Sequence, residues 1–466
     1  MRKILWISII FFTIFFSYLS IKRYRTLNSY YYDLGIMNQT VYNTSRGRIL
    51  EMTNQDLMKN TSRFAIHFDP ILAVFAPFYL IYPGPEVLLV GQAGILALGA
   101  LAVYLTSEKV LRKKTLSLAF SLSYLFYFSV QRAALFDFHA VTLATTFLLF
   151  ALYFNILKNY RAYFIFIFLS LLTKEHVGLV VFLLGLYQFF IEKKRQVGLL
   201  TSVLGIVFFV STVYVVIPYF RGSEHFASGY FSNLSERLKT IINEGFSYSL
   251  MLLSPVFYAL FSPLTLFIAA PEWAINVLSI NGNQRSFYFH YSSIIVSFIF
   301  FSLILGYKNL DKMIKVNWIK KLIFILFIFL NLRSVYLWNP IPSFVKQPSI
   351  YKNISPVTES TIKLWQKKLK DEDIKVSTTP KLAPFFTNRR YYFNFLYDTA
   401  FEEMGKTEKD VLEKEVYKFS QADYVIINKL EVEKDLPKMF YDKLTFDKDF
   451  KKIFTDNENL EVYRKI

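Results

Sequence analysis

The sequence contains no cysteine. That absence excludes disulfide scaffolds, thiolate metal sites and cysteine nucleophiles. Acidic residues are scarce, 35 against 53 basic ones, which leaves a net charge of +18 on 466 residues. No nucleic-acid motif accompanies this surplus, and excess positive charge beside apolar runs points to membrane orientation and anionic lipid. What is plentiful is apolar: 54% hydrophobic residues, 50 Phe and 32 Tyr, with a mean hydropathy of +0.33. Such a composition rules out an ordinary soluble enzyme and a disordered chain alike. It is the composition of an integral membrane protein.

Charge divides the chain. Residues 1–342 carry 30 basic and 14 acidic residues, whereas 343–466 carry 23 and 21. The boundary follows Asn339-Pro340-Ile341-Pro342, a proline-rich exit from the last apolar run. Residues 1–342 are therefore expected to form a multi-span transmembrane domain with a long first outer loop at 22–68. Residues 343–466 are expected to form a soluble α/β domain outside the membrane. Apolar runs long enough to be spans fall at 4–19, 87–105, 116–130, 141–157, 162–172, 177–191, 197–219, 248–261, 264–278, 292–307 and 322–338. The first reads as an uncleaved anchor, because no small-residue cleavage site follows it. A short, proline-bounded apolar stretch at 69–82 reads as interfacial or re-entrant.

Eleven spans with the N-terminus inside gather Lys109, Arg112, Lys113, Lys114, Lys158, Arg161, Lys193, Lys194 and Arg195 in short inner loops. The C-terminal domain then lies outside. This topology puts His67, His139, His176, His225 and His290 at outer span ends or in outer loops. Asp33, Asp69, Asp137, Lys174, Glu175 and Glu272 fall there too. Ionisable groups at membrane depth are costly and mark functional sites. Single clusters have plain structural readings: Asp33 or Asp69 can cap a helix, with Pro70 at the first helical position, and Lys174 can neutralise Glu175. The inner ends carry no histidine, so placement on one face is the stronger signal.

These residues carry a resemblance. Tyr32-Asp33-Leu34-Gly35 to Gln39, His67-Phe68-Asp69-Pro70-Ile71-Leu72, Ala76-Pro77, Gln92, Asp137-Phe138-His139, Thr173-Lys174-Glu175, the stretch from Pro271 to Ser279 and Phe289-His290-Tyr291 look like the prokaryotic membrane family called domain of unknown function 2079. In the tail, Ala383 to Arg389 and Ala422 to Ile427 match as well. His176 departs from it, because the family more often resembles Lys-Glu-Asp there. The family is similar in layout to the GT-C glycosyltransferases. That likeness implies an enzyme of the plasma membrane, with several passes, that transfers a sugar with inversion. The donor would be a polyprenyl-phosphate carrier, and the acceptor an extracytoplasmic glycan, lipid or protein.

The chemistry fits residues in hand. An inverting transfer needs an ionised carboxylate to take the acceptor's proton, with Asp33 the first candidate and Asp69 the second. The leaving phosphate needs cations or imidazoles; His67, His139, His290, Lys174, Arg132 and Arg285 are the candidates, with Asp137 and Glu175 beside them. Two carboxylates and a histidine could hold a divalent metal, magnesium or manganese, although no spacing requires one. Two other classes stay open. A transporter or flippase of a lipid-linked or anionic substrate would use the helices broken at Pro255, Pro263 and Pro271. A non-catalytic scaffold would bind a partner through the outer domain. In that domain, helices are expected at 358–370 and 402–419, strands at 374–377 and 424–428, and a hairpin at 450–463; no phosphate loop, His-Glu-x-x-His motif or serine elbow occurs in it.

Overall fold

A computed structural model of the protein describes residues 1–55, 57–225, 231, 235, 237–341, 351–395, 418–433 and 435–466. The chain divides into two compact units. One comprises Met1–Ser20, Ile66–Ile71 and Leu89–Ile350, the other Ile21–Ala65, Leu72–Leu88 and Tyr351–Ile466. This partition differs from the one expected at residue 342. Hydropathy separates apolar from polar sequence, but it does not reveal that the first outer loop folds with the tail.

The first unit is helical. Among the described residues, five helices are long and apolar enough to cross a membrane: Arg2–Arg25, Glu86–Leu111, Arg195–Arg221, Ser293–Met313 and Asn317–Trp338. At 1.5 Å per residue they run about 32 to 40 Å, against a hydrocarbon core of about 30 Å. The other expected spans are shorter or broken. Val141–Ile156, Tyr160–Leu171 and Val177–Phe190 are short apolar helices. The run expected at 116–130 is two helices, Lys114–Phe126 and Phe128–Leu135, parted by extended backbone at Tyr127. The Tyr127 hydroxyl donates to the Leu252 carbonyl at 2.6 Å. Neither proline nor glycine marks this break, so the apolar run read as continuous. Proline does mark the next one: Leu238–Leu253 passes into a 3-10 segment, Ser254–Phe261, with a non-helical Val256.

Ser293–Met313 lies at the centre of this unit and is buried nearly all round. Its serines and a neighbouring threonine cross-link the packing: Thr145 Oγ1 donates to the Ser293 carbonyl at 2.7 Å and Ser297 Oγ to the Thr145 carbonyl at 3.1 Å. Asn317–Trp338, by contrast, exposes Leu322, Ile325, Phe329 and Leu332, as a lipid-facing helix does. Arg112, Lys158 and Lys193 follow the ends of three helices with φ of 56°, 57° and 59°. Each places a cation beyond the negative end of a helix dipole.

The helices Val177–Phe190 and Arg195–Ser211 meet through glycines at two levels. A Cβ on Gly178 or on Gly205 would lie 2.6 Å from the other's carbonyl oxygen. Gly185 and Gly198 oppose one another in the same way, at 2.6 and 2.7 Å. Small residues allow backbones to approach this closely in membranes, where packing replaces the hydrophobic effect. Gly185→Val is expected to push the pair apart at a cost of about 1–3 kcal/mol. The melting temperature of the purified protein should fall by several degrees, while Gly282→Val, built into open space, should leave it unchanged.

The second unit is α/β. Two short strands in the first loop, β1 (Glu51–Asn54) and β2 (Lys59–Ser62), pair antiparallel. The tail contributes β3 (Val376–Thr378), β4 (Tyr392–Asn394), β5 (Tyr424–Asn428), β6 (Phe450–Thr455) and β7 (Leu460–Lys465), in the order β4-β3-β5-β7-β6. Pairing is parallel for β4, β3 and β5 and antiparallel for β5, β7 and β6. The expected helix at 358–370 is Pro356–Lys368, whose start is capped by Ser355, with Pro356 at the first turn. The helix expected at 402–419 falls almost wholly outside the described residues, apart from a 3-10 turn at Lys418–Gln421. A helix at Asp435–Phe446 was not foreseen.

The first loop docks on the free edge of β4 through side chains. Thr53 Oγ1 accepts the Tyr392 N–H at 3.0 Å, Gln55 Oε1 accepts the Asn394 N–H at 2.7 Å, and Gln55 Nε2 donates to the Tyr392 carbonyl at 2.9 Å. Three backbone groups of an edge strand, which would otherwise invite foreign pairing, are thereby satisfied. Arg48 reaches Glu372 through two nitrogens at 3.0 and 3.3 Å.

Glu431 lies half-buried beside this sheet. Its Oε1 accepts the Lys381 N–H at 3.0 Å, and burial pushes its carboxyl up to about 7. The folded state therefore binds more protons than the unfolded one between pH 4.5 and about 7. Stability contributed here is complete below pH 4.5 and declines as pH rises to about 7, by about 3 kcal/mol in all. Glu431→Gln should flatten that slope in thermal unfolding measured from pH 4 to 8. An unchanged slope would mean that another group titrates.

Candidate functional site

The five histidines of the chain, read from the sequence only as residues on one face, fall into three contacts within the helical unit. The centre is Glu175, in the turn between Tyr160–Leu171 and Val177–Phe190. Ile71 N–H donates to the Leu172 carbonyl at 3.1 Å, which ties the His67-Phe68-Asp69-Pro70 segment to this turn. His67 Nδ1 then stands 2.9 Å from Glu175 Oε1, and the Phe68 N–H donates to Oε2 at 3.0 Å. His225 Nε2 approaches the same Oε1 at 3.4 Å. Glu175 is buried, which disfavours its charge. The two imidazoles and the nearby Lys174 more than offset this and hold its carboxyl well below the usual range.

One residue on, His176 Nε2 lies 3.3 Å from Glu272 Oε2, and both side chains are largely buried. The third contact is a stack: the rings of His139 and His290 are 3.6 Å apart and tilted by 21°, with Phe136 alongside. Gln92 sets this loop. It accepts the His139 N–H at 2.9 Å and donates to the Ala133 carbonyl at 2.8 Å. His139 Nδ1–H donates to the Asp137 carbonyl at 3.0 Å. His290 Nδ1 is buried and has no hydrogen-bond partner among the described residues. Burial, then His139 and Lys174, push its imidazole well below the usual range, which favours the neutral form.

The remaining expected residues separate. Asp69 and Asp137 are buried in the helical unit. Arg132 donates to the Trp338 carbonyl at 2.9 Å and lies 4.7 Å over the Tyr288 ring. Arg285 donates to the carbonyls of Ser279 and Asn276 at 2.7 and 3.1 Å and pairs with Glu244 at 2.6 Å. Its described contacts cap the end of Ala270–Leu278. Asp33 belongs to the second unit, in a π-helical turn, Tyr31–Gly35. Such turns recur at functional sites. Tyr31 stacks on Tyr392 at 5.0 Å, and its hydroxyl donates to the Thr53 carbonyl. Asp33 itself is half-buried. Thr53 and Gln55, which hold this loop, are polar residues in an ordinary polar stretch, and no local pattern singles them out.

The chain is similar in fold to two crystal structures of ArnT from Cupriavidus metallidurans. The first, bound to undecaprenyl phosphate, shares 11% identity and a TM-score of 0.51, covering 97% of this chain and 98% of that one. The second, in the apo state, shares 13% identity and a TM-score of 0.50, covering 97% of each. At these identities the likeness establishes the fold: a polytopic helical membrane protein with a small sheet at its C-terminal end. No curated protein matches the sequence. As the sequence suggested, the chain belongs to the predicted membrane-protein family DUF2079, whose pattern it matches over residues 23–452.

Proposed function

We propose that this protein is a membrane glycosyltransferase that moves a sugar, with inversion, from a polyprenyl-phosphate carrier to an acceptor on the extracytoplasmic side. The observation that carries the reading is the cluster around Glu175, with His67, Lys174 and the His139–His290 stack in the helical unit. A phosphate leaving group needs such donors and cations where its charge develops. The full-length likeness in fold to a protein crystallised with undecaprenyl phosphate supports that carrier. In this reading Asp33 takes the acceptor's proton, with Asp69 the second candidate. Lys174, His139 and His290 face the phosphate. Arg132 and Arg285 act through the loops they brace. The N-terminus is cytoplasmic and the tail unit extracytoplasmic.

The test is purified protein with radiolabelled polyprenyl-phosphate sugars, beside reporter fusions after Trp338. Label leaving the donor lipid, with the tail outside, is the expected result. A protein that binds carriers across a donor panel without cleaving any would be a transporter. One that does neither would be a scaffold.

A further inference from the structure

We propose that His67, Glu175 and His225 form a binding site for a single transition-metal ion, zinc by preference, with one coordination position left open. Three potential ligand atoms, one from each residue, lie within 4.8 Å of one another. Two of their separations are known: His67 Nδ1 and His225 Nε2 stand 2.9 and 3.4 Å from Glu175 Oε1. Bonds of 2.0–2.1 Å at tetrahedral angles require ligand atoms about 3.3 Å apart, so small shifts would admit an ion. The unused Glu175 oxygen accepts the Phe68 N–H, which orients the carboxylate for one-oxygen ligation in the manner of an outer-shell partner.

The donor set chooses the metal. Magnesium keeps an all-oxygen shell with several waters, whereas two imidazoles and one carboxylate are a zinc set. Three protein ligands leave a fourth position for water or a ligand oxygen. Positioning also favours a built site over chance proximity. His67 is tied through Ile71 to the Leu172 carbonyl, Glu175 lies in the adjoining turn, and His225 follows the helix end at Arg221. Glu175 is nine-tenths buried, and the two histidines are less than one-fifth exposed.

The experiment needs neither sugar nor carrier, so its result is separate from that of the transferase assay. Full-length protein would be purified without chelator, and its zinc measured by mass spectrometry. Stripped protein would then be titrated with cobalt(II). One zinc per chain is expected, with the strong visible absorption of four-coordinate cobalt. Glu175→Gln and His225→Ala should each weaken cobalt binding about tenfold or more, with Glu272→Gln close to wild type. The His225 variant keeps the test valid if loss of Glu175 impairs folding. Absence of stoichiometric metal, weak octahedral cobalt spectra, or binding indifferent to both substitutions would overturn the site.

Discussion

Asp33→Asn should lower the rate of sugar transfer about 10²- to 10⁴-fold, the usual contribution of a positioned general base, while the melting temperature stays near that of wild type. The expected kinetics follow from its setting. The neighbours of Asp33 hold the turn. Tyr31 stacks on Tyr392, Leu34 is buried, and Gly35 packs against Ala383 and Thr387. An amide at position 33 keeps the size and removes the basicity, so turnover should fall and donor affinity persist. Asp69 is the comparison. It is buried between His67-Phe68 and a helix starting at Pro70, and Asp69→Asn should perturb the melting temperature as well as the rate. If Asp69→Asn abolished transfer and Asp33→Asn left it intact, the base would be Asp69.

Arg389→Met should destabilise the second unit by roughly 3–5 kcal/mol, the cost of stranding buried polar partners. Its guanidinium is buried and donates to three carbonyls, of Phe386, Ile374 and Leu369, at 2.6, 2.9 and 3.0 Å. Burial brings its pKa down to about 10, which still leaves it charged at neutral pH. A methionine of similar length fills the volume and satisfies none of these oxygens. Hydrogen exchange in β3 and β5 should accelerate strongly. Arg390→Met, at a half-exposed cation 3.7 Å from Glu51, should change it little. The first loop should loosen too, since Gln39 and Asn60 both donate to the Arg390 carbonyl. Exchange at wild-type rates in Arg389→Met would refute the arrangement.

How much of this could be read beforehand depends on the range of the interaction. Apolar runs declare themselves locally, and all eleven coincide with helical segments, because in a bilayer each segment must satisfy its own backbone. Tail strands at 424–428 and 450–463 were legible from β-branched and aromatic runs with a turn at Asp456-Asn457. The break at Tyr127 was not, since groups that meet it are distant in sequence: its hydroxyl donates to a carbonyl 125 residues away, and Asn339 donates to the Phe126 carbonyl. Polar residues on one face were visible as a set. Their grouping into His67–Glu175–His225, His176–Glu272 and His139–His290 was not, because sequence order says nothing of which loops approach. Nor, for the same reason, was it visible that Thr53 and Gln55 complete a strand found more than 330 residues later.

Backbone lying on backbone at Gly178–Gly205 and Gly185–Gly198 makes those two antiparallel helices behave as one lever. At the Gly185 level the Ser202 hydroxyl adds a tie across the pair, donating to the Phe182 carbonyl at 3.1 Å. Glu175 sits at one end of the first helix, and the second, continued through Thr212–Val216 and Ile217–Arg221, leads to His225 at that same end. Both residues thus lie only a few positions beyond the same end of this helix pair. Adjustment to a bulky guest must then come from the groups approaching this fixed post, namely the His67 segment, Glu272 and the His139–His290 stack.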